Sequence, residues 1–168
     1  MDEARQILLV VRGERVQWAF HTSTGTEDSY RHPSGRTLLA DTPNGRWTIS
    51  WQVDGWRDGR LGRMWRPKYF HPDGIAIHGY PSVPAYPASH GCARVSMAAM
   101  NFLWEQGLAP EGSTVWVAVS SDRRNAVTVL FPNRSRVQRT VARARSGTGI
   151  PVSRAHRWVA AARVSALP

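Results

Sequence analysis

The chain has a single cysteine, no long apolar run, and only one acidic residue after position 119. One cysteine excludes an intramolecular disulfide and any Cys-x-x-Cys metal site. The absent apolar run excludes a membrane-spanning helix, which needs roughly 20 consecutive apolar residues. Met1-Asp2-Glu3-Ala4-Arg5 is followed only by the short run Ile7 to Val11, too short for the apolar core of a secretory signal, so no export address is visible. The scarcity of acid is local. Residues 1–119 carry 12 Lys and Arg against 11 Asp and Glu, whereas residues 120–168 carry 10 Arg against Asp122 alone. The formal charge of +10 therefore belongs almost wholly to the tail, and no nucleic acid is expected on the body.

What is present points to a folded, mostly β domain over residues 1–119. Hydrophobic residues make up 42% of the chain and there are eight Trp, enough for a real core. Ile7 to Val11 and Val16 to Thr22 read as strands around an Arg12-Gly13-Glu14-Arg15 turn, and Ser23-Thr24-Gly25 ends the second. Thr42-Pro43-Asn44-Gly45 reads as a turn feeding one strand from Trp47 to Trp51. Gly55 to Gly62 reads as a polar loop, and Met64 to Phe70 as an aromatic stretch of open type. Ile75 to His78 is a short buried strand that delivers His78 at its end. The prolines between Tyr80 and Pro87 enforce irregular chain. From Ser96 the period turns helical: Met97, Met100, Leu103 and Trp104 share a face, Ser96 is the N-cap and Gly107 the stop. Val115 to Val119 is a last strand. Residues 120–168 read as a weakly ordered Arg-rich extension, with Ala126 to Phe131 as a possible strand and His156 to Val164 as a short helix.

The chemistry concentrates in Ile77-His78-Gly79 and Ser89-His90-Gly91-Cys92-Ala93-Arg94. A thiol needs a base to become a good nucleophile near neutral pH, and histidine supplies one. If Ser89 to Cys92 is extended, His90 and Cys92 point to the same side. Cys92 also lies four residues before the N-cap, where a helix dipole would favour thiolate. Gly91 leaves the backbone open, and successive N–H groups there are expected to cradle an oxyanion. Two histidines, His78 and His90, compete for the role of base on this evidence. The bland alternative is a buried inert thiol beside a satisfied core histidine, and the glycines flanking both histidines weigh against it.

Those two segments resemble the active-site signature of the L,D-transpeptidase catalytic domain, the YkuD type. Thr22-Ser23-Thr24-Gly25, Thr42 to Ile49, Pro84 to Pro87, and Gly112-Ser113-Thr114-Val115 fit the same pattern, so the resemblance spans roughly residues 5–119. It implies a β-sandwich with one main helix after the cysteine. It implies Cys92 as nucleophile and His78 as base, with Ser89, His90, Gly91 and Gly79 forming or supporting the oxyanion hole, and Arg94 and Tyr80 binding substrate. The implied reaction is acyl transfer on peptidoglycan stem peptides, donor and acceptor, through a Cys92 thioester with release of D-Ala, needing no metal or cofactor. A hydrolase on the same thioester and an inactive wall- or polyanion-binding protein are the alternatives. Members act in the cell envelope outside the cytoplasmic membrane and are susceptible to carbapenems. The short interval from His78 to Ser89 implies an abbreviated loop over the site; the basic tail reads as a solvated extension, with charge contact to an anionic wall polymer or nucleic acid as the alternative.

Further features take more ordinary readings. Trp47, Trp51, Trp56 and Trp65 are expected as core or half-buried strand aromatics, with a sugar-binding groove as the alternative. His71, His78, His90 and Cys92 match no common zinc spacing. Asp54, Asp58 and Asp73 read as loop charges.

Overall fold

The computed structural model describes residues 1–119 and, in backbone, the two-residue strand Ala162–Arg163. The expected strand at Ala126 to Phe131, the weak order of the tail, and most of the expected helix at His156 to Val164 lie outside the described residues. Ala162 and Arg163 themselves are not helical. They pair antiparallel with Ala19 and Trp18, so sheet-edge pairing overrides the local helical pattern there.

The N-terminal alternation folds as expected. β1 (Ile7–Arg12) and β2 (Arg15–His21) form an antiparallel hairpin, and Gly13 takes φ 60 in its turn, a value that favours glycine. Leu8 and Phe20, cross-strand partners, are buried. Trp18 sets its ring edge-on to Phe102 at 4.6 Å, tying the hairpin to the helix. β3 (Ser29–Arg31) and β4 (Thr37–Leu39) make a small separate hairpin.

The single strand expected from Trp47 to Trp51 is instead two. β5 (Gly45–Thr48) pairs with β11 (Thr114–Val117), while β6 (Trp51–Gln52) pairs with β8 (Gly62–Tyr69). The chain changes sheets at Ile49 and Ser50, whose N–H groups donate to Ser113 and Tyr69 carbonyls respectively. Ile49 sits 1% exposed at that corner, which anchors the crossover in the core. The expected loop from Gly55 to Gly62 contains β7 (Trp56–Gly59), an exposed strand paired with β8. Its polarity records exposure on both faces rather than missing pairing. β8 absorbs the aromatic stretch, with a register break between Trp65 and Lys68 where Arg66 has φ 50 and Pro67 lacks an N–H.

β9 (Ala76–Tyr80) lies between β8, antiparallel, and β10 (Ala93–Ser96), parallel. The parallel pairing carries the chain through the proline segment and directly into α1 (Met97–Glu105). Ser96 caps α1 by accepting from the Ala99 N–H at 3.1 Å, and Gly107, at φ 59, donates to the Trp104 carbonyl. Met100 and Leu103 are buried, and Met97 and Trp104 are half-buried. Around them Phe20, Ile49, Phe70, Ile77, Val95 and Val117 complete the core. The fold is mostly β with one main helix after the cysteine. Among the described residues no helix is long and apolar enough to cross a membrane.

Candidate functional site

Cross-strand register decides which side chains meet. Ala93 stands beside Ile77 and Arg94 beside His78. By alternation, Ile77, Gly79, Ala93 and Val95 face the helix, while Ala76, His78, Tyr80 and Arg94 face the other way. A Cβ built on Gly79 would lie 2.9 Å from the Trp65 ring and 3.1 Å from Met100, so glycine there lets β9 lie close against its neighbours. Cys92, one residue before β10, sits beside Ala76, whose N–H donates to its Sγ at 3.4 Å. Cys92 and His78 thus share one sheet face. The Arg94 guanidinium lies 4.4 Å over the Tyr80 ring on that face, and among the described residues it has no carboxylate partner.

The turn that carries Cys92 is braced from beneath. The Ser89 hydroxyl donates to the Cys92 carbonyl at 2.6 Å and accepts from the Gly91 N–H at 3.0 Å. Thr42 donates to the Gly91 carbonyl at 2.7 Å and accepts from the Gly25 N–H at 2.9 Å. The Gln6 amide spans the Thr24 backbone N–H and side chain, both at 2.8 Å. β2 ends before Ser23 to Gly25 as expected, and beyond it isolated bridges hold the chain: Ser23 exchanges backbone bonds with Arg94, and Gly25 bridges Ser89. The Thr42 to Gly45 segment is an irregular buttress rather than a hydrogen-bonded turn, with the Trp47 indole donating to the Pro43 carbonyl. Serine and threonine supply these braces because each hydroxyl donates and accepts at once.

Three expectations about the turn change: the extended run, the Gly91 N–H as an oxyanion donor, and the reach of the helix dipole. Gly91 has φ 132, so Ser89 to Cys92 is not one extended run and alternation does not carry across it. His90 is exposed with its ring edge-on to Tyr30 of β3 at 4.6 Å, whereas His78 is 4% exposed on the Cys92 face, which favours His78 as the base. The Gly91 N–H is committed to Ser89, leaving the His90 and Cys92 N–H groups of this turn without a partner among the described residues. The helix dipole does not reach Cys92 either. β10 intervenes, roughly 13 Å of strand, and a dipole effect fades within one helical turn.

The electrostatics favour neutral partners at rest. His78 Nδ1 lies 3.1 Å from the Gly79 carbonyl, which can only accept, so Nδ1 carries the proton and Nε2 is a free base. Burial, with the Arg94 charge in support and the Gly79 bond opposing, lowers the His78 pKa to about 4. Burial raises the Cys92 thiol against the Ala76 N–H and Arg94, which lower it. A neutral imidazole on the same sheet face as a neutral thiol can take up the thiol proton as the sulfur attacks.

Residues that sequence reasoning did not assign complete the face. Tyr69 of β8 pairs with Ala76, and Trp51 of β6 pairs with Tyr69. Burial raises the Tyr69 phenol, with Cys92 adding to the rise and the adjoining Arg57 guanidinium opposing it. Nothing in the linear pattern aligns Tyr69 with Cys92; only the ladder does. Among the described residues no three His, Cys, Asp or Glu converge as a metal site. His71 stands 4.4 Å edge-on to Trp47 and 3.6 Å from Asp73, and Asp54 and Asp58 pair with Arg66 and Arg63. An apolar cavity of about 340 Å³, lined by Leu8, Val10, Ile77, Leu103 and Val115, lies on the helix side of the sheet, away from Cys92.

Residues 1–117 match the YkuD family, L,D-transpeptidase catalytic domain. Among solved structures, an L,D-transpeptidase from Xylanimonas cellulosilytica is similar at 47% identity and TM-score 0.64, over 67% of this chain and 55% of that one. Two more share the fold: L,D-transpeptidases from Mycobacterium smegmatis, at 18% identity and TM-score 0.55 over 70% of this chain and 56% of that one, and from Stackebrandtia nassauensis, at 20% and 0.55 over 73% and 54%. The chain spans little more than half the length of these structures. No curated protein matches it.

Proposed function

Since the chain belongs to the L,D-transpeptidase catalytic-domain family, we propose that it crosslinks peptidoglycan stem peptides through a Cys92 thioester, outside the cytoplasmic membrane where that substrate lies. The observation that carries this reading is the common sheet face of Cys92 and His78, with His78 Nδ1 tied to Gly79 and Nε2 left as the base. Cys92 Sγ attacks the carbonyl between the third and fourth stem residues as its proton passes to His78 Nε2. The His90 and Cys92 N–H groups donate to the oxyanion, developed in a site where preorganised donors count most. On collapse the C–N bond breaks, and His78 returns the proton to the leaving D-Ala amine. The side-chain amine of a second stem then attacks the thioester and loses a proton to His78. The thiolate leaves and takes that proton back.

Arg94, without a carboxylate partner among the described residues, recognises a substrate carboxylate beside Tyr80. Its charge also lowers the thiol, so it assists the nucleophile it adjoins. Ser89 and Gly91 hold the turn rather than touch the substrate, since their polar groups are satisfied internally.

The test incubates the full chain and a Cys92→Ala control with a disaccharide-tetrapeptide, with products followed by mass spectrometry. Dimers that have lost D-Ala, absent from the control, are the expected result. Tripeptide without dimer would assign a carboxypeptidase on the same thioester. A carbapenem adduct on Cys92 is the expected companion result, and no turnover together with no adduct would refute the reading.

A further inference from the structure

Trp47, Trp51, Trp56 and Trp65 sort by topology. Trp65 donates its indole N–H to Asn101 of α1 at 2.7 Å, so it faces the helix. Trp56 leans on Trp65 at 5.1 Å and carries the Arg63 guanidinium on its ring at 4.7 Å. Trp47 is half-buried against His71 and bonded to Pro43. Trp51 differs. Its ring lies flat on Tyr69, 4.2 Å away with 5° between planes, and is 42% exposed, while Tyr69 beneath is 6% exposed. One ring face is thus backed by a buried aromatic and the other is open to solvent.

Its place in the ladder matters as much. Trp51, Tyr69, Ala76 and Cys92 form one row across β6, β8, β9 and the start of β10. Three interstrand spacings put Trp51 roughly 14 Å from Cys92 on the same face. The effect of Cys92 on the Tyr69 phenol agrees with that placement.

Resting on the reading of Cys92 as the stem-peptide nucleophile, we propose that Trp51, backed by Tyr69, is a platform for the sugar ring of the donor muropeptide. The acylated carbonyl belongs to the third stem residue. Three extended residues reach roughly 10 Å back toward the glycan, and the lactyl ether that joins stem to sugar covers the remainder. A pyranose presents a flat, weakly positive C–H face, which suits the negative face of an indole. The stacked Tyr69 holds that indole in one orientation, so little freedom is lost on binding. Arg57, beside the Tyr69 phenol, supplies donors at the platform's edge for the oxygens of an N-acetylated sugar.

The test uses binding, so that it does not depend on turnover. The full chain carrying Cys92→Ala is titrated calorimetrically with a disaccharide-tetrapeptide and with the free tetrapeptide. The glycan-bearing ligand is expected to bind about tenfold more tightly. Adding Trp51→Ala abolishes that preference, Trp51→Phe keeps most of it, and Trp56→Ala, on the other face, leaves it unchanged. Near-ultraviolet circular dichroism checks that each variant is folded. Equal affinity for the two ligands, no measurable binding of either, or a preference that survives Trp51→Ala overturns the platform. A preference that depends on Trp51 in a protein whose Cys92 form makes no thioester upholds the platform and refutes the transpeptidase chemistry instead.

Discussion

Replacing Glu3 with glutamine should stabilise the fold above pH 7 and change little near pH 4. Glu3 is 9% exposed, its Oε2 has no hydrogen-bond partner among the described residues, and Asp41 and Glu27 stand near enough to repel it. Burial first, then those two carboxylates, raise its pKa from 4.5 to about 7, against the smaller pull of the N-terminal ammonium and Asn44. The folded state therefore holds this proton more tightly than the unfolded chain does. Between pH 4.5 and 7 it binds more protons, so stability falls as pH rises through that window. Each decade of proton affinity is about 1.4 kcal/mol, which makes ionised Glu3 a cost of about 3 kcal/mol at pH 8. For an ordered body of this size that corresponds to roughly 10 °C in Tm. His78 acts with the opposite sign. Its folded pKa of about 4 lies below the ordinary 6.5, so its contribution is present above 6.5 and is lost as pH falls toward 4. The wild type should therefore look nearly flat from pH 4.5 to 6.5, and Glu3→Gln should expose the His78 slope as a rise over that range. Calorimetric melts of both proteins from pH 4 to 8 measure this. A stability difference independent of pH, or a less stable variant at pH 8, would refute the placement of Glu3 as a strained buried carboxyl.

Two further perturbations probe the turn and the tail. Gly91→Ala places a Cβ 2.7 Å from the Asp41 carbonyl oxygen at φ 132; a stability loss of about 1–3 kcal/mol and a fall in kcat/KM of roughly 100-fold as the turn shifts Cys92 are expected from urea melts and muropeptide assays, and near-wild-type values for both would show the turn is more pliant than its bracing implies. A chain ending at Val119 loses only the Ala162–Arg163 pairing to β2 among the described contacts; it should melt cooperatively within a few degrees of the full chain, and unfolding would place the domain boundary further on.

Local rules were enough for parts of this fold. The β1–β2 hairpin, α1 with Ser96 and Gly107 at its ends, and the buried strand at His78 depend on alternation, capping and glycine, all of which act between near neighbours. Where one sequence signal had two structural causes, the linear pattern misled. Polar, glycine-rich residues 55–62 are an exposed hairpin, because backbone pairing does not require apolar side chains. Trp47 to Trp51 is divided between two sheets, because only packing around Ile49 determines where the chain turns.

The site divides in the same way. Cys92 and two candidate bases were legible in the chain, since thiol, imidazole and flanking glycines mark that chemistry wherever they lie. Choosing between His78 and His90 on the residues alone was not possible. Geometry separates them through the parallel register of β9 and β10 and the φ of Gly91, and neither can be read one strand at a time. The row from Cys92 through Tyr69 to Trp51 has the same origin. Its members are far apart in sequence and meet only because hydrogen-bonded ladders place them opposite one another. Residue chemistry and local geometry were thus determined by the sequence itself, whereas the partners of each group, and hence its proton affinity and its function, were decided by the tertiary pairing of distant strands.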